Sequence, residues 1–244
     1  MKAFEFAYVC AEPFLPPLYS RVRKSLQSIA RSYAAPIRLL DTGGRKSHYT
    51  VNVPALVTIT DVPRESDLQK RLNLGLNQSM ISQTRDRRTN IREILFDDMT
   101  RSLLEDGSFD IVVSVEVLEH VEEDGLFLDH VHRVLKPGGT FLMTTPNGDY
   151  LRKPNTGHVR HYTREQLGNL LSSRFSEVHL EYAIKGGVFH RWGLRSISAV
   201  RPHRAVLTAV GNVINSLESR PRRVKNQGRG THHLIAVARK QADI

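Results

Sequence analysis

Acidic residues and glycines recur in this chain where an open α/β sheet would present them to a ligand. Asp41-Thr42-Gly43-Gly44 closes a short apolar run at 37–40, and Asp61 closes another at 56–59. Asp97 and Asp98 follow the run at 91–96, and Glu116, with Glu119-His120 one turn on, follows the run at 109–115. Each position has a chemical task. Glycines let backbone approach a ligand closely and permit positive φ. An acid about 20 residues beyond the first turn, here Asp61, can accept two hydrogen bonds from a ribose diol. An acid after the third strand can accept from an adenine amino group. Together they describe an adenosine site without a phosphate clamp. His120 is placed to face an acceptor. His158, His161 and Tyr162 lie in GHVRHYT, after the fifth apolar run, where a histidine can take a proton from a hydroxyl or organise the loop. No metal site is expected from His158 and His161, because the sequence places no third ligand beside them.

These residues need elements to position them. Nearly all-apolar, β-branched FDIVVSV at 109–115 reads as a strand covered on both faces. Further strands are expected at 37–40, 56–59, 91–96, 140–144, 177–184 and 233–238. Helices are expected at 19–33, 67–74 (capped by Ser66), 77–88, 123–135 and 163–173, the last with Thr163 and Gln166 in a capping-box arrangement. The segment 45–55, with Val51-Asn52-Val53-Pro54, suits no helix. Lys136-Pro137-Gly138-Gly139 is a turn signal. Seven strands alternating with helices argue for an α/β fold with a largely parallel sheet.

The segment from Asp106 to Asn147 reads DGSFDIVVSVEVLEHVEEDGLFLDHVHRVLKPGGTFLMTTPN. Its order (FD and an apolar strand, LEHV, an amphipathic helix ending RVLKPGG, then a strand and TTPN) resembles class I S-adenosylmethionine-dependent methyltransferases. The likeness is to the type 11, quinone-biosynthesis-like group. It covers about 37–183 and recurs at 231–240. The resemblance implies a Rossmann-like, doubly wound seven-strand sheet whose last strand is antiparallel, and S-adenosyl-L-methionine as cofactor. It implies that Asp41, Gly43 and Gly44 form the first motif around the methionine part, and that Asp61 holds the ribose hydroxyls. Counting back from Phe109-Asp110 puts Asp98, rather than Asp97, at the adenine-binding acid, with Met99 beside the ring. Val115 would contact the methionine end and Glu116 would line the floor. The family pattern D-x-G-x-G-x-G is altered, with Arg45 and Ser47 at the second and third glycine positions. Arg45 either pairs with the cofactor's carboxylate or crowds the site. The transferase reading makes His120 or His161 the catalytic base for a hydroxyl acceptor.

Composition bounds the remaining possibilities. The chain has 244 residues, a net charge of +10 and one cysteine, Cys10, which excludes an internal disulfide framework and is read as a small buried side chain. No stretch approaches the roughly 20 apolar residues of a membrane span, and the N-terminus lacks a signal-peptide pattern, so a cytoplasmic protein is expected. Residues 1–184 carry 23 basic and 23 acidic side chains, whereas 185–240 carry 12 and one. The division expected is a cofactor-binding core with an N-terminal helix at 1–184, a basic helical insertion between strands six and seven at 185–230, and the last strand with its tail at 231–244. Within the insertion 203–217 reads as an amphipathic helix. Its apolar residues Val206, Val210, Val213, Ile214 and Leu217 either bury against the core or, with the arginines and Trp192, meet an anionic membrane. Nucleic acid fits less well, because no aromatics are interleaved with the basic residues. The function expected is methyl transfer to a small or lipid-linked acceptor, such as a glycan or quinone precursor. The alternatives are a catalytically silent binding protein on the same fold or a nucleic-acid methyltransferase.

Overall fold

The structure is a computed structural model that describes residues 1–45, 47–65, 75–151, 157–193, 202–220 and 222–242. The helix expected over 67–74 lies outside the described residues.

In chain order the elements are α1 (Ala3–Ala11), α2 (Pro17–Ala30), β1 (Arg38–Thr42), β2 (Leu56–Asp61), α3 (Gln78–Arg87), β3 (Ile91–Phe96), β4 (Phe109–Val115) and α4 (Asp124–Val134). They continue with β5 (Leu135–Pro146), α5 (Arg164–Ser172), β6 (Glu177–Lys185), α6 (Val188–Gly193), α7 (Pro202–Glu218), α8 (Arg222–Asn226) and β7 (Thr231–Arg239). The strands form one sheet in the order β3-β2-β1-β4-β5-β7-β6. Strands β1 to β5 are parallel, and β7 runs antiparallel between β5 and β6. This is the doubly wound seven-strand sheet with an antiparallel last strand that the sequence implied.

Alternation along the strands builds two apolar layers. Leu39, Val57, Ile59, Ile111 and Val113 pack one face against Val22 and Leu26 of α2 and Ile81 of α3. Leu40, Val112, Phe141 and Met143 pack the other against Leu128 and Val131 of α4 and Leu167 and Leu171 of α5. The capping box expected at Thr163 and Gln166 forms, and Asn77, read as the first residue of its helix, instead caps it, its side chain accepting from Met80 N–H. Between β1 and β2 the described residues form only a 3-10 turn at His48–Thr50, so the usual crossover helix is absent there, as 45–55 foretold.

Two expectations are corrected, and one that the sequence left open is decided. Cys10 is exposed, because α1, which the sequence reading did not anticipate, turns that side chain outward. Strand β5 begins at Leu135, with Gly138 at φ +72°, rather than after the Lys136–Gly139 turn. In α7 the buried side chains are Thr208, Asn212 and Asn215, whereas Val206, Val210 and Leu217 are exposed. Close approach explains this choice: a Cβ at Gly211 would come within 2.8 Å of Trp192, so the small and polar stripe is the one that docks on α6. Asn212 donates to Phe14 O and Asn215 to Lys185 O, which anchors that stripe through hydrogen bonds instead of apolar burial.

Candidate active site

Strand order reverses between β1 and β4, and ligands of open α/β sheets bind at such a switch point, beyond the carboxyl ends of the strands. A cavity of about 550 Å³ opens there. Thr42 and Gly43 reach it from β1, Asp61 and Val62 from β2, Asp97 to Thr100 from β3, and Val115 to Val117 with His120 from β4. Tyr19 of α2 and Tyr49 of the 3-10 turn complete the wall nearest β1.

Of the residues singled out from sequence, Gly43, Arg45, Asp61, Asp98, Met99, Val115, Glu116 and His120 line this cavity. Gly43 sits at φ +69°, and a Cβ there would lie 2.4 Å from a Val117 methyl. Asp61 accepts from the N–H of Val62 at 2.8 Å. Burial pushes its carboxyl up to about 6, against the pull of that N–H and of Arg45. Asp98 caps the short turn after β3, accepting from the N–H and hydroxyl of Thr100. Its neighbour Asp97 keeps one buried oxygen without a hydrogen-bond partner among the described residues, and the half-buried Arg45 keeps one such nitrogen, Nη1.

Asp41 and Gly44 lie beneath the floor rather than in it. Asp41 is fully buried and accepts from Ser47 Oγ and, at 2.7 Å, from Tyr49 Oη. Ser47 takes φ +38°, the left-handed conformation that a glycine of the family pattern would hold, and returns a hydrogen bond to Asp41 in exchange. Arg88, also buried, donates to Ser47 O at 2.8 Å and Thr50 Oγ1 at 2.7 Å. Burial raises Asp41 to about 7 and lowers Arg88 to about 10. A Cβ on Gly44 would fall 2.4 Å from the Asp41 carboxyl carbon, so that glycine makes room for the cluster.

At the β4 end Glu116 adopts φ +54° and accepts from Thr144 Oγ1 at 2.8 Å. Burial pushes its pKa up, but His233, 3.2 Å away, and Thr144 outweigh it, and the net shift is downward. Glu119 is buried in the next turn; burial and then the charge of Glu116 hold it well above the usual carboxylate range. His161 lies outside the lining, with Nδ1 on Leu151 O at 2.6 Å and Nε2 on His158 Nδ1 at 2.9 Å.

With that geometry in hand, a methyltransferase-domain family model matches residues 67–143. A protein of Mycolicibacterium smegmatis named as a probable S-adenosylmethionine-dependent methyltransferase is 30% identical over 140 residues, covering 55% of this chain and 52% of that one. The chain thus spans about half the length of that relative. A ubiquinone biosynthesis O-methyltransferase of Nitrobacter winogradskyi is 48% identical over 42 residues, 17% of this chain and 16% of its own. The crystal structure of a methyltransferase from Archaeoglobus fulgidus superposes with a TM-score of 0.58 at 16% identity, covering 91% of this chain and 94% of that one. This chain has the class I S-adenosylmethionine-dependent methyltransferase fold.

The residues present fit the cofactor that this methyltransferase fold implies. S-adenosyl-L-methionine offers a carboxylate, an ammonium, a ribose diol and an adenine amino group. The cavity answers with a cation at Arg45 whose Nη1 has no hydrogen-bond partner among the described residues, a carboxylate at Asp61, and an acid pair at Asp97 and Asp98. Sequence reasoning missed Tyr19, Tyr49 and Arg88, which reach the region from separate elements. Only Ser47, read as a lost glycine, carried a signal of the cluster they join.

Proposed function

We propose that this chain transfers a methyl group from S-adenosyl-L-methionine to a small or lipid-linked acceptor. The observation that carries the reading is the cavity at the β1/β4 switch point, whose lining includes the carboxylate of Asp61 and the Arg45 guanidinium, Nη1 of which has no hydrogen-bond partner among the described residues. When bound, the cofactor supplies a sulfonium-activated methyl group that leaves by displacement. Asp61 binds the ribose hydroxyls, Arg45 pairs with the carboxylate, and Asp98, with Asp97 beside it, accepts from the adenine amino group while Met99 packs on the ring. Val115 and Glu116 close the methionine end. The burial of these walls excludes water and fixes approach, which is most of what a displacement requires of a protein. At the acceptor end His120 donates Nδ1–H to Gly157 O at 2.7 Å, which leaves the ring's lone pair on Nε2.

Calorimetric titration with S-adenosylhomocysteine tests this. Binding is expected in the micromolar range and weakened about 100-fold or more in Asp61→Ala, since two charge-assisted hydrogen bonds are lost. The wild-type affinity should fall as pH drops through about 6, where Asp61 takes up a proton and loses acceptor capacity. Undiminished binding by Asp61→Ala would sink the assignment.

The lipid-linked reading rests on α7. Val206, Val210 and Leu217 fall on one exposed stripe of that helix, 62%, 43% and 52% accessible, and Arg204 and Arg220 at its two ends are exposed. Such a face suits an anionic interface. No helix among the described residues is long and apolar enough to cross a membrane. The chain should co-sediment with vesicles containing anionic phospholipid more than with neutral phosphatidylcholine vesicles. Val206→Asp with Val210→Asp should reduce that binding several-fold; equal sedimentation of both proteins would remove the membrane reading.

A further inference from the structure

The β4 turn and the loop after β5 are laced together. Val159 N–H donates to Glu119 O at 2.7 Å, and His120 Nδ1 meets Gly157 O at 2.7 Å. Arg160 crosses back to Asp124 and, at 2.7 Å, to Glu122 O. The contacts bring Glu119, His120 and His158 together, with one potential ligand atom from each lying within 4.8 Å of the others. Residues 38 positions apart in the chain thus form one cluster.

The hydrogen bonds fix which ring nitrogens are free. A carbonyl only accepts, so His120 must carry its proton on Nδ1, and its Nε2 keeps a lone pair. By the same rule His161 is protonated on Nδ1, which donates to Leu151 O, and its Nε2 accepts. The donor to that nitrogen is His158 Nδ1 at 2.9 Å, so His158 Nε2 also keeps a lone pair. The Glu119 carboxylate, only 1% exposed, uses one oxygen for Thr145 Oγ1 at 3.3 Å, and its other oxygen is buried without a partner. These two imidazole lone pairs and the orphan carboxylate oxygen belong to the three residues that bring a ligand atom each within 4.8 Å of the others. Donating the second ring N–H to a backbone carbonyl, directly for His120 and through His161 for His158, is the arrangement that orients metal-bound histidines.

We propose that Glu119, His120 and His158 form a divalent metal site in the wall of the acceptor end, with His161 as a positioning residue. Two imidazoles and one carboxylate suit a borderline transition ion, Zn²⁺ above all, and three protein ligands leave coordination open for an exogenous oxygen. His120 belongs to both the cluster and the lining of the cavity, so that oxygen is assigned to the acceptor. This last step rests on the methyl-transfer reading and narrows the acceptor to an alcohol or phenol. The ion lowers the hydroxyl's pKa, and the proton leaves to water. The oxygen lone pair forms the new bond to the methyl carbon as the methyl–sulfur bond breaks, and its electron pair stays on sulfur, which becomes neutral. No separate general base is needed.

Metal content and affinity test the site without turnover. The full chain, stripped with chelator and titrated with ZnCl₂ against a chromophoric indicator, should bind one ion per chain. Co²⁺ in its place should give visible ligand-field bands. His120→Ala and His158→Ala should each lose binding by more than about 100-fold. His161→Phe, which keeps all three ligands, should lose about 10–100-fold. His203→Ala, on an exposed position of α7, should leave it unchanged. Circular dichroism and titration of S-adenosylhomocysteine into the metal-free variants report folding and the cofactor site separately. Cofactor binding without a zinc equivalent, or zinc affinity indifferent to His120 and His158, would overturn the metal site. Zinc bound through those residues with no binding of S-adenosylhomocysteine would uphold the site and overturn the methyl-transfer reading.

Discussion

The ends of β1 and β4 face each other across the same cavity, and their polar residues are arranged in opposite ways. At β1, Asp41, Ser47, Tyr49, Thr50 and Arg88 are buried and bonded to one another, Arg88 Nε alone of their side-chain polar atoms lacking a partner among the described residues, and neither Asp41 nor Arg88 reaches the cavity. At β4, Glu119 keeps an orphan oxygen, and His120 and His158 each keep a free ring nitrogen. Buried polar groups cost stability unless they are satisfied. A network bonded within itself and away from the cavity therefore marks scaffold, and an orphan carboxylate oxygen beside two uncommitted imidazole nitrogens marks a place where something else can bind. Both ends also carry a non-glycine residue at positive φ, Ser47 and Glu116, so local backbone strain does not separate them.

The contrast is most exposed at Arg88. Arg88→Ala removes the cation from the closed network and leaves Ser47 O and Thr50 Oγ1 without that donor, with Asp41 uncompensated. A loss of about 3 kcal/mol is expected in urea denaturation, with zinc affinity at the opposite end unchanged. A variant as stable as the parent would break the comparison.

Next comes the pH profile. The folded pKa of Asp41, about 7, lies above its ordinary value of 3.8, so the folded state holds a proton that the unfolded chain has released between those limits. Its contribution to stability is complete below pH 4 and disappears as pH rises through 7. Asp41→Asn should flatten that decline, leaving the gentler slope from Asp61, which ends near pH 6. Denaturation midpoints at pH 5 and 8 measure it; an unchanged slope would mean the carboxyl is not the titrating group.

The smallest effect belongs to the open side. Glu119→Gln replaces an unpaired buried acid with a neutral amide and should leave the metal-free protein equally stable or firmer by about 1 kcal/mol, while zinc binding is lost. A large destabilisation would show that Glu119 is scaffold after all.

Much of this was legible from residue order. Strands β3 and β4 run over the residues expected, the capping box at Thr163 and Gln166 forms, and the missing helix before β2 follows from Val51-Asn52-Val53-Pro54. Periodicity left α7 undecided. Its apolar stripe could bury or face outward, and packing against α6 selected the stripe of Thr208, Gly211, Asn212 and Asn215 for burial, because the approach at Gly211 leaves no room for a Cβ. Asp41 and Asp61 looked equivalent as acids ending strands. The shortened turn at His48–Thr50 folds Tyr49 and Ser47 over the first and leaves the second in the cavity.

Sequence by itself determined the alternation of strands and helices, the seven-strand sheet and the acids at the strand ends. Each of these is set within a few residues by periodicity, capping and turn chemistry. Tertiary structure alone decided which acid is enclosed, which face of α7 meets solvent, and that His158 would find Glu119 and His120. Those outcomes depend on contacts between segments tens of residues apart, and on hydrogen bonds that the carbonyls of Leu151 and Gly157 accept, which choose the protonated nitrogen of His161 and His120.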